Sequence, residues 1–117
     1  MEQQTIEGHA VRAMYLLTAV ADLALIDRRS FGQKYMDVAR RLWDNMADQK
    51  MYLTGGIGAI EQWEGFGLEY FLPQGSNEGG CYSETCAAIG VMMVAERMLQ
   101  VRPLHRNPQT TIGEVSN

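Results

Sequence analysis

The chain has little of what marks a protein for export or nucleic-acid binding. Its 117 residues contain two cysteines and three prolines, and the 14 acidic residues outnumber the 10 lysines and arginines, for a net charge of −4. Without a basic stripe or a nucleic-acid motif, we expect no nucleic-acid partner. The opening MEQQTIEGHA lacks a basic segment followed by an apolar one, so we predict no signal peptide and a cytoplasmic location.

Long apolar runs are also missing. The longest, residues 10–26, is interrupted by Arg12, Thr18 and Asp22. It is too short and too polar to span a bilayer, so we expect no membrane association. Hydrophobic residues still make up 46% of the chain, which predicts one small folded domain rather than a disordered segment.

Three helices are predicted. Residues 6–27 are rich in alanine and leucine, apolar nearly all round, and preceded by Thr5 as a candidate N-cap. Residues 30–49 begin at a possible Ser30 cap and have a single apolar face. That face comprises Phe31, Tyr35, Val38, Ala39, Leu42, Trp43 and Met46. Residues 83–101 are again apolar on most sides.

A long glycine-rich loop, residues 51–82, separates the second helix from the third. It contains eight glycines, and its first four residues, MYLT, are a candidate short strand. Its aromatic residues favour an ordered functional loop over disorder. We place the domain at residues 1–102 and expect residues 103–117 to form an irregular tail.

The helices therefore alternate between inner and outer types. An all-α fold of helical hairpins joined by one long loop, as in part of an (α/α)6 barrel, produces this order. A simple three-helix bundle fits the same periodicity, because helix patterns alone do not fix topology.

The stretch GGCYSETC, residues 79–86, holds both cysteines. Glu84 and Cys86 are two residues apart and share a metal ion only if the chain there is extended or just entering a helix, with Ser83 as a candidate cap. A thiolate and a carboxylate suit Zn²⁺. The alternative is structural: Glu84 complements the helix dipole and Cys86 is a small buried residue. A disulfide between Cys81 and Cys86 is sterically conceivable, although the expected compartment argues against it.

Three further features of the sequence bear on chemistry. Glu64 lies between Trp63 and Phe66, where partial desolvation would suit it to donate a proton near neutrality, but it is also compatible with a solvated loop glutamate. The TGGIG stretch, residues 54–58, lacks the lysine of a phosphate loop and is interpreted as a turn that lets backbones approach closely. His9, near a helix start, is a weaker candidate for ligand contact.

Four segments together resemble the β-L-arabinofuranosidase family, glycoside hydrolase family 127. They are GHAVRAMYLLTAVADLA (8–24), LWDNMADQKMYLTGGIGA (42–59), EGFGLEYFLP (64–73) and YSETCAAIGVMMVAERML (82–99). They follow the family's order, and the TGGIG and ETCA blocks are fairly specific to it.

The resemblance implies an (α/α)6 barrel and a retaining glycosidase with a cysteine nucleophile bound to zinc. It implies that Glu84 and Cys86 are zinc ligands, that Glu64 is the general acid/base, and that His9 lines the sugar pocket. The implied partner is a saccharide substrate.

The sequence also departs from the family pattern. The nucleophile and the remaining cysteine ligand belong to a region C-terminal to ETC that these residues do not include. The link GSNEGGC, residues 75–81, looks longer than usual, which affects the spacing between Glu64 and Glu84.

Three functions remain open from the sequence. The first is a glycosidase segment with half an active site, inactive alone. The second is a non-catalytic helical module that associates with a second copy or another chain through its apolar faces. The third is a small zinc-binding protein that uses Cys81, Glu84 and Cys86.

Overall fold

The computed structural model of the chain describes residues 2–27, 29, 31–75 and 80–101. These residues form three helices, α1 (Ala10–Ile26), α2 (Gly32–Gln49) and α3 (Thr85–Val101). Over the described ranges there is no β-strand, only isolated bridges, so the prediction of an all-α fold is confirmed. In the expected MYLT strand only Met51 pairs, with Ile57. Ser30 and the expected tail, residues 103–117, lie outside the described residues.

The first helix begins later than the sequence suggests. Gly8 has a φ of +82°, a left-handed conformation that a right-handed helix cannot run through. The N-cap is therefore His9, whose Nδ1 accepts the backbone N–H of Val11 at 3.2 Å. The predicted cap at Thr5 is wrong, because its hydroxyl donates instead to Glu7 Oε1 at 2.8 Å.

The start of α3 is displaced for a similar reason. Ser83 has a φ of +27° and lies outside the helix. Glu84 occupies the position before the first helical residue, and its carbonyl accepts the N–H of Ala88 at 3.2 Å. The predicted cap at Ser83 is therefore wrong. Glu84 is the residue that precedes the helix, and its carboxylate lies at the helix entrance.

Helix α1 lies between the other two helices and packs against both, whereas α2 and α3 barely touch. Its buried residues follow the helical repeat along one side. They are Ala10, Met14, Leu17, Thr18, Ala21 and Ala24. Its opposite side is apolar but exposed, with Leu16 at 62% and Ile26 at 79%. The composition of α1 predicts cover on most of its sides. The described helices cover only one side of it.

Helix α2 is amphipathic, and its predicted face is confirmed except at Phe31, with Met36 as an additional buried residue. Met36, Ala39, Leu42 and Met46 are buried, whereas Phe31 is 54% exposed. Phe31 precedes the first helical residue and so does not continue the helical face.

The end of α2 fixes the segment that leads to His9. The buried Lys50 donates from Nζ to the carbonyl of Ile6 at 2.8 Å, and Asn45 Oδ1 accepts the N–H of Ile6 at 2.8 Å. Glu69 Oε1 lies 3.9 Å from the ammonium. Because both backbone groups of Ile6 are bound, the chain enters α1 from a fixed position.

The TGGIG stretch forms the predicted turn. Tyr52 N donates to Gly56 O at 2.9 Å, and Ser83 N donates to Gly58 O at 3.0 Å. A Cβ on Gly56 would lie 2.0 Å from Ser83 Oγ, so a side chain there would force the Ser83 hydroxyl to rotate away. The close backbone approach anticipated from the glycines is confirmed, and it fastens the loop to the entrance of α3.

Among the described residues, no helix combines the length and apolarity needed to cross a membrane.

We predict that Gly90→Ala lowers stability. A Cβ there would lie 2.8 Å from Met14 Cβ and 2.9 Å from its Cγ, where α1 and α3 pack most closely. Overpacking costs about 1–3 kcal/mol, more than the gain of up to about 1 kcal/mol in helix propensity. We expect thermal unfolding followed by circular dichroism to shift down by a few degrees. Gly75→Ala is the control, because a Cβ there meets nothing within 4 Å. Equal unfolding temperatures for the two variants would contradict the close packing.

We also predict that stability falls at alkaline pH because of Tyr52. This tyrosine is buried, and its hydroxyl donates to the carbonyl of Pro73 at 2.9 Å. Burial, followed by the nearby Cys81 side chain, raises the pKa of Tyr52 above its usual value. Above about pH 10 the unfolded chain loses this proton while the folded chain keeps it, so the free energy of unfolding decreases as pH rises.

Urea unfolding of the parent chain and Tyr52→Phe at several pH values from about 8 to about 11 measures this effect. We expect a shallower alkaline decline for Tyr52→Phe. Parallel curves would show that Tyr52 does not contribute to the pH dependence.

Candidate functional site

The Glu64 side chain projects from a tight turn in the long loop. Ile60 and Gly65 exchange two backbone hydrogen bonds of 3.0 Å, and Glu64 N donates to Glu61 O at 3.1 Å. Glu64 has a φ of +51°, which is unusual for a residue with a side chain and costs on the order of 1 kcal/mol. The turn closes with this residue in a defined orientation.

Two backbone hydrogen bonds attach this turn to the start of α1. Ala10 N donates to Glu64 O at 3.0 Å, and Phe66 N donates to Gly8 O at 2.9 Å. A Cβ on Gly65 would lie 2.0 Å from Gly8 O, so only glycine allows this contact. The attachment brings Glu64 beside His9, although 55 residues separate them in sequence.

The hydrogen bonds of His9 define its tautomer. Its Nδ1 accepts the N–H of Val11 and must therefore carry no proton. Its Nε2 lies 2.9 Å from Glu64 Oε2, so in the neutral ring the Nε2–H donates to that carboxylate oxygen. The residue that caps α1 thus also orients Glu64.

Tyr82 connects Glu64 to the entrance of α3. Its hydroxyl oxygen lies 3.0 Å from Glu84 Oε1 and 3.3 Å from Glu64 Oε1. The hydrogen bond to Glu84, with smaller contributions from desolvation and the two carboxylate charges, raises the pKa of Tyr82 to about 12. The hydroxyl is therefore protonated at neutral pH and able to donate.

Glu84 and Cys86 converge, as the sequence predicted for a site at a helix entrance. Cys86 Sγ lies 3.6 Å from Glu84 Oε2. Ligand distances of about 2.3 Å to sulfur and about 2.1 Å to oxygen at a tetrahedral angle put two zinc ligands roughly 3.6 Å apart. The pair therefore fits one edge of a zinc site. Within the described ranges, no group of three metal-ligating side chains forms.

Cys81 lies apart from this pair. It is exposed, and its side chain interacts with Tyr52 rather than with Glu84. Both cysteines are free, so the conceivable disulfide is absent. A metal site formed by Cys81, Glu84 and Cys86 is likewise not found in the described part of the chain.

The link before Cys81 preserves the geometry despite its length. Gly80 N donates to Gly75 O at 3.0 Å, so the chain returns to within one hydrogen bond of Gly75. Tyr82 then reaches both Glu64 and Glu84. The link therefore leaves the two carboxylates close together.

An open cavity of about 550 Å³ lies against His9 and Glu64. It is lined by Gly8, His9, Arg12, Glu61, Gln62, Trp63 and Glu64. The Glu64 side chain is 48% exposed, and Trp63 directs its Nε1–H to the carbonyl of Phe66 at 3.1 Å. The expected desolvation of Glu64 by its aromatic neighbours is therefore not observed.

The structure brings His9, Glu64, Glu84 and Cys86 into one continuous network. The sequence did not single out Tyr82, which joins the two halves of this network, or Arg12, which lines the cavity. The only sequence signal for Tyr82 is its position two residues before Glu84.

Comparisons with known proteins give a family match. The family described as "Beta-L-arabinofuranosidase, GH127 catalytic domain" matches residues 1–107. A non-reducing end beta-L-arabinofuranosidase of Bifidobacterium longum subsp. longum is 40% identical over 102 residues, which are 87% of this chain and 14% of that protein.

Two solved structures are also similar. A GH127 beta-arabinofuranosidase superposes with a TM-score of 0.78 at 39% identity, over 87% of this chain and 15% of the other. A GH127 beta-L-arabinofuranosidase from Geobacillus stearothermophilus T6 gives 0.75 at 35% identity, over 86% and 15%. The chain thus spans about one seventh of the length of these relatives, and its three helices are consistent with a segment of an (α/α) barrel. It belongs to glycoside hydrolase family 127, the β-L-arabinofuranosidase family.

Proposed function

We propose that these residues form part of the active site of a retaining β-L-arabinofuranosidase. The observation that supports this is the continuous contact from His9 through Glu64 and Tyr82 to Glu84 and Cys86. It joins a proton donor, a polar cavity and two metal-ligating groups at one end of α1 and α3.

Glu64 acts as the general acid/base. Its half-exposed carboxyl group borders the cavity, where a glycosidic oxygen can approach it. In its protonated form it donates to the leaving oxygen, and as a carboxylate it then accepts a proton from the attacking water. His9 orients the carboxyl group through Oε2 and lines the space that the sugar occupies.

Glu84 and Cys86 supply two ligands of a zinc ion. The 3.6 Å between Cys86 Sγ and Glu84 Oε2 supports this assignment, because two ligands of a tetrahedral zinc ion lie about that far apart. Bound zinc would hold a cysteine nucleophile in its thiolate form. Because the described residues contain no third ligand group, we propose that the nucleophile and the other ligands come from chain beyond these segments.

A chimeric enzyme tests the role of Glu64. Residues 8–101 replace the matching segment of the Bifidobacterium longum relative, and hydrolysis of an aryl β-L-arabinofuranoside is measured. We expect activity in the chimera and a loss of about 10²–10⁴-fold in kcat with Glu64→Gln, which removes the transferable proton at nearly constant shape.

Glu96→Gln is the matched control. It makes the same change at an exposed carboxylate on α3, which pairs with Arg97 and does not line the cavity of Glu64. A folded, active chimera that tolerates Glu64→Gln would overturn the acid/base assignment. By itself, the 117-residue chain is expected to show no turnover.

A second proposed property is association through apolar surface. Large apolar side chains of α1 and α3 are exposed, including Leu16 at 62%, Ile89 at 53% and Met92 at 71%. Exposed apolar surface forgoes roughly 25 cal/mol for each Å² left in water. We propose that a second copy, or a chain that supplies further helices, covers these faces.

We predict that the isolated chain elutes above its monomer mass of 13.1 kDa in size-exclusion chromatography with light scattering. Leu16→Lys and Ile89→Lys should shift the population toward the monomer, because each places a charge on a helix face. Leu53→Lys is the control, because Leu53 is fully exposed in a turn rather than on a helix. A monodisperse parent monomer with a cooperative melt would refute self-association.

A further inference from the structure

We propose that Tyr82 is a positioning residue that holds Glu64 and Glu84 in a fixed relation, donating its single proton to Glu84 while its oxygen receives the proton of Glu64. This inference rests on the proposed function for the roles of the two carboxylates, although the hydrogen bonds themselves are independent of it.

The direction of each bond follows from counting protons. A tyrosine hydroxyl has one proton, so it donates to one carboxylate at a time. The shorter separation, 3.0 Å to Glu84 Oε1, assigns the proton to Glu84. The contact with Glu64 Oε1 is longer, at 3.3 Å, so it is the weaker of the two while Tyr82 donates to Glu84, and it becomes a full hydrogen bond when Glu64 carries a proton.

His9 excludes the alternative position for the proton of Glu64. Its Nε2–H is directed at Oε2, because its Nδ1 is occupied by the N–H of Val11. A proton on Oε2 along that direction would face another donor. When Glu64 is protonated, its proton therefore resides on Oε1, where the Tyr82 oxygen can accept it.

The backbone next to Tyr82 is held in place, which limits the positions that the Tyr82 hydroxyl can occupy. Ser83 N is bound to Gly58 O at 3.0 Å, and Glu84 directly precedes α3. The ring thus projects from the residue just before a fastened helix entrance. When Glu64 transfers its proton to a glycosidic oxygen, the Tyr82 hydroxyl continues to donate to Glu84. The contacts of Tyr82 with Glu64 and with Glu84 therefore require no movement of the backbone.

The Tyr82→Phe variant tests this arrangement, because it removes only the oxygen and keeps the ring. With ¹³C-labelled glutamate, we expect the carboxyl carbon resonances of both Glu64 and Glu84 to shift relative to the parent chain. The carboxyl resonances of Glu61 and Glu69 should remain in place. Tyr15→Phe is the matched control: it deletes an exposed hydroxyl on α1 and should move neither resonance.

Metal binding provides a second readout that a purely structural tyrosine would not change. Co²⁺ is the probe, followed by its thiolate charge-transfer absorption, in a Cys81→Ser background so that Cys86 is the remaining thiol. Loss of a hydrogen bond to a ligating carboxylate typically weakens metal affinity 10–100-fold. We expect about a tenfold loss for Tyr82→Phe and none for Tyr15→Phe.

The two measurements separate the possible failures. A shift of only one carboxyl resonance, or of neither, would overturn the bridge whatever the metal does. If both resonances shift and the parent chain binds Co²⁺, an unchanged affinity in Tyr82→Phe would overturn the positioning of Glu84 toward a metal. If both shift but the parent chain binds no Co²⁺, the bridge is supported, and the affinity is measured instead in the chimeric enzyme, where the remaining ligands are present. An unchanged affinity of the chimera with Tyr82→Phe would overturn the positioning of Glu84 toward a metal.

Discussion

The backbone attachment of the Glu64 turn to the start of α1 is the contact on which the rest of the site depends. The hydrogen bonds from Ala10 N to Glu64 O and from Phe66 N to Gly8 O join a loop to a helix entrance. Glu64 and His9 are 55 residues apart in the chain, and without these bonds they would have no fixed relation in space. The attachment requires glycine at residue 65 and an unfavourable φ at Glu64, so local backbone strain accompanies the fixed position of this side chain.

Helix entrances position the site on both sides. His9 caps α1 and reaches Glu64, while Glu84 precedes α3 and lies near Cys86. At a helix entrance the chain is still extended, so side chains two residues apart can approach one another, which an intact helix forbids. The rigid helices behind these residues, packed against each other through α1, supply the fixed frame.

Much of the fold could be predicted from the sequence, because helical periodicity and glycine spacing are local signals. The three helices, the loop between the second and third, and the turn at residues 54–58 follow from such signals. The errors have non-local causes. The Thr5 cap failed because the chain turns at Gly8 to meet the loop. The prediction that Glu64 is desolvated is wrong, because Trp63 donates to the carbonyl of Phe66 and leaves the carboxyl group half exposed.

The candidate site residues were proposed from local patterns, and the family resemblance implied their roles, whereas neither singled out Tyr82. A tyrosine two residues before a glutamate has no distinctive pattern, and its importance appears only when Glu64 is brought to it by tertiary contacts. Bridging residues of this kind are difficult to identify from one sequence, since their two partners lie in different segments.

The hydrogen bond from Gly80 N to Gly75 O has a consequence for how this family can diversify. It holds together the two residues that flank positions 76–79, so the number of residues between the two glycines can change with little effect on the chain that continues to Tyr82. The entropy of closing a loop grows only slowly with its length, which makes such a position tolerant of insertions. Natural variants could therefore acquire a new recognition element there, at the edge of the site, and an engineer could insert a reporter peptide at the same position without rebuilding the carboxylate network.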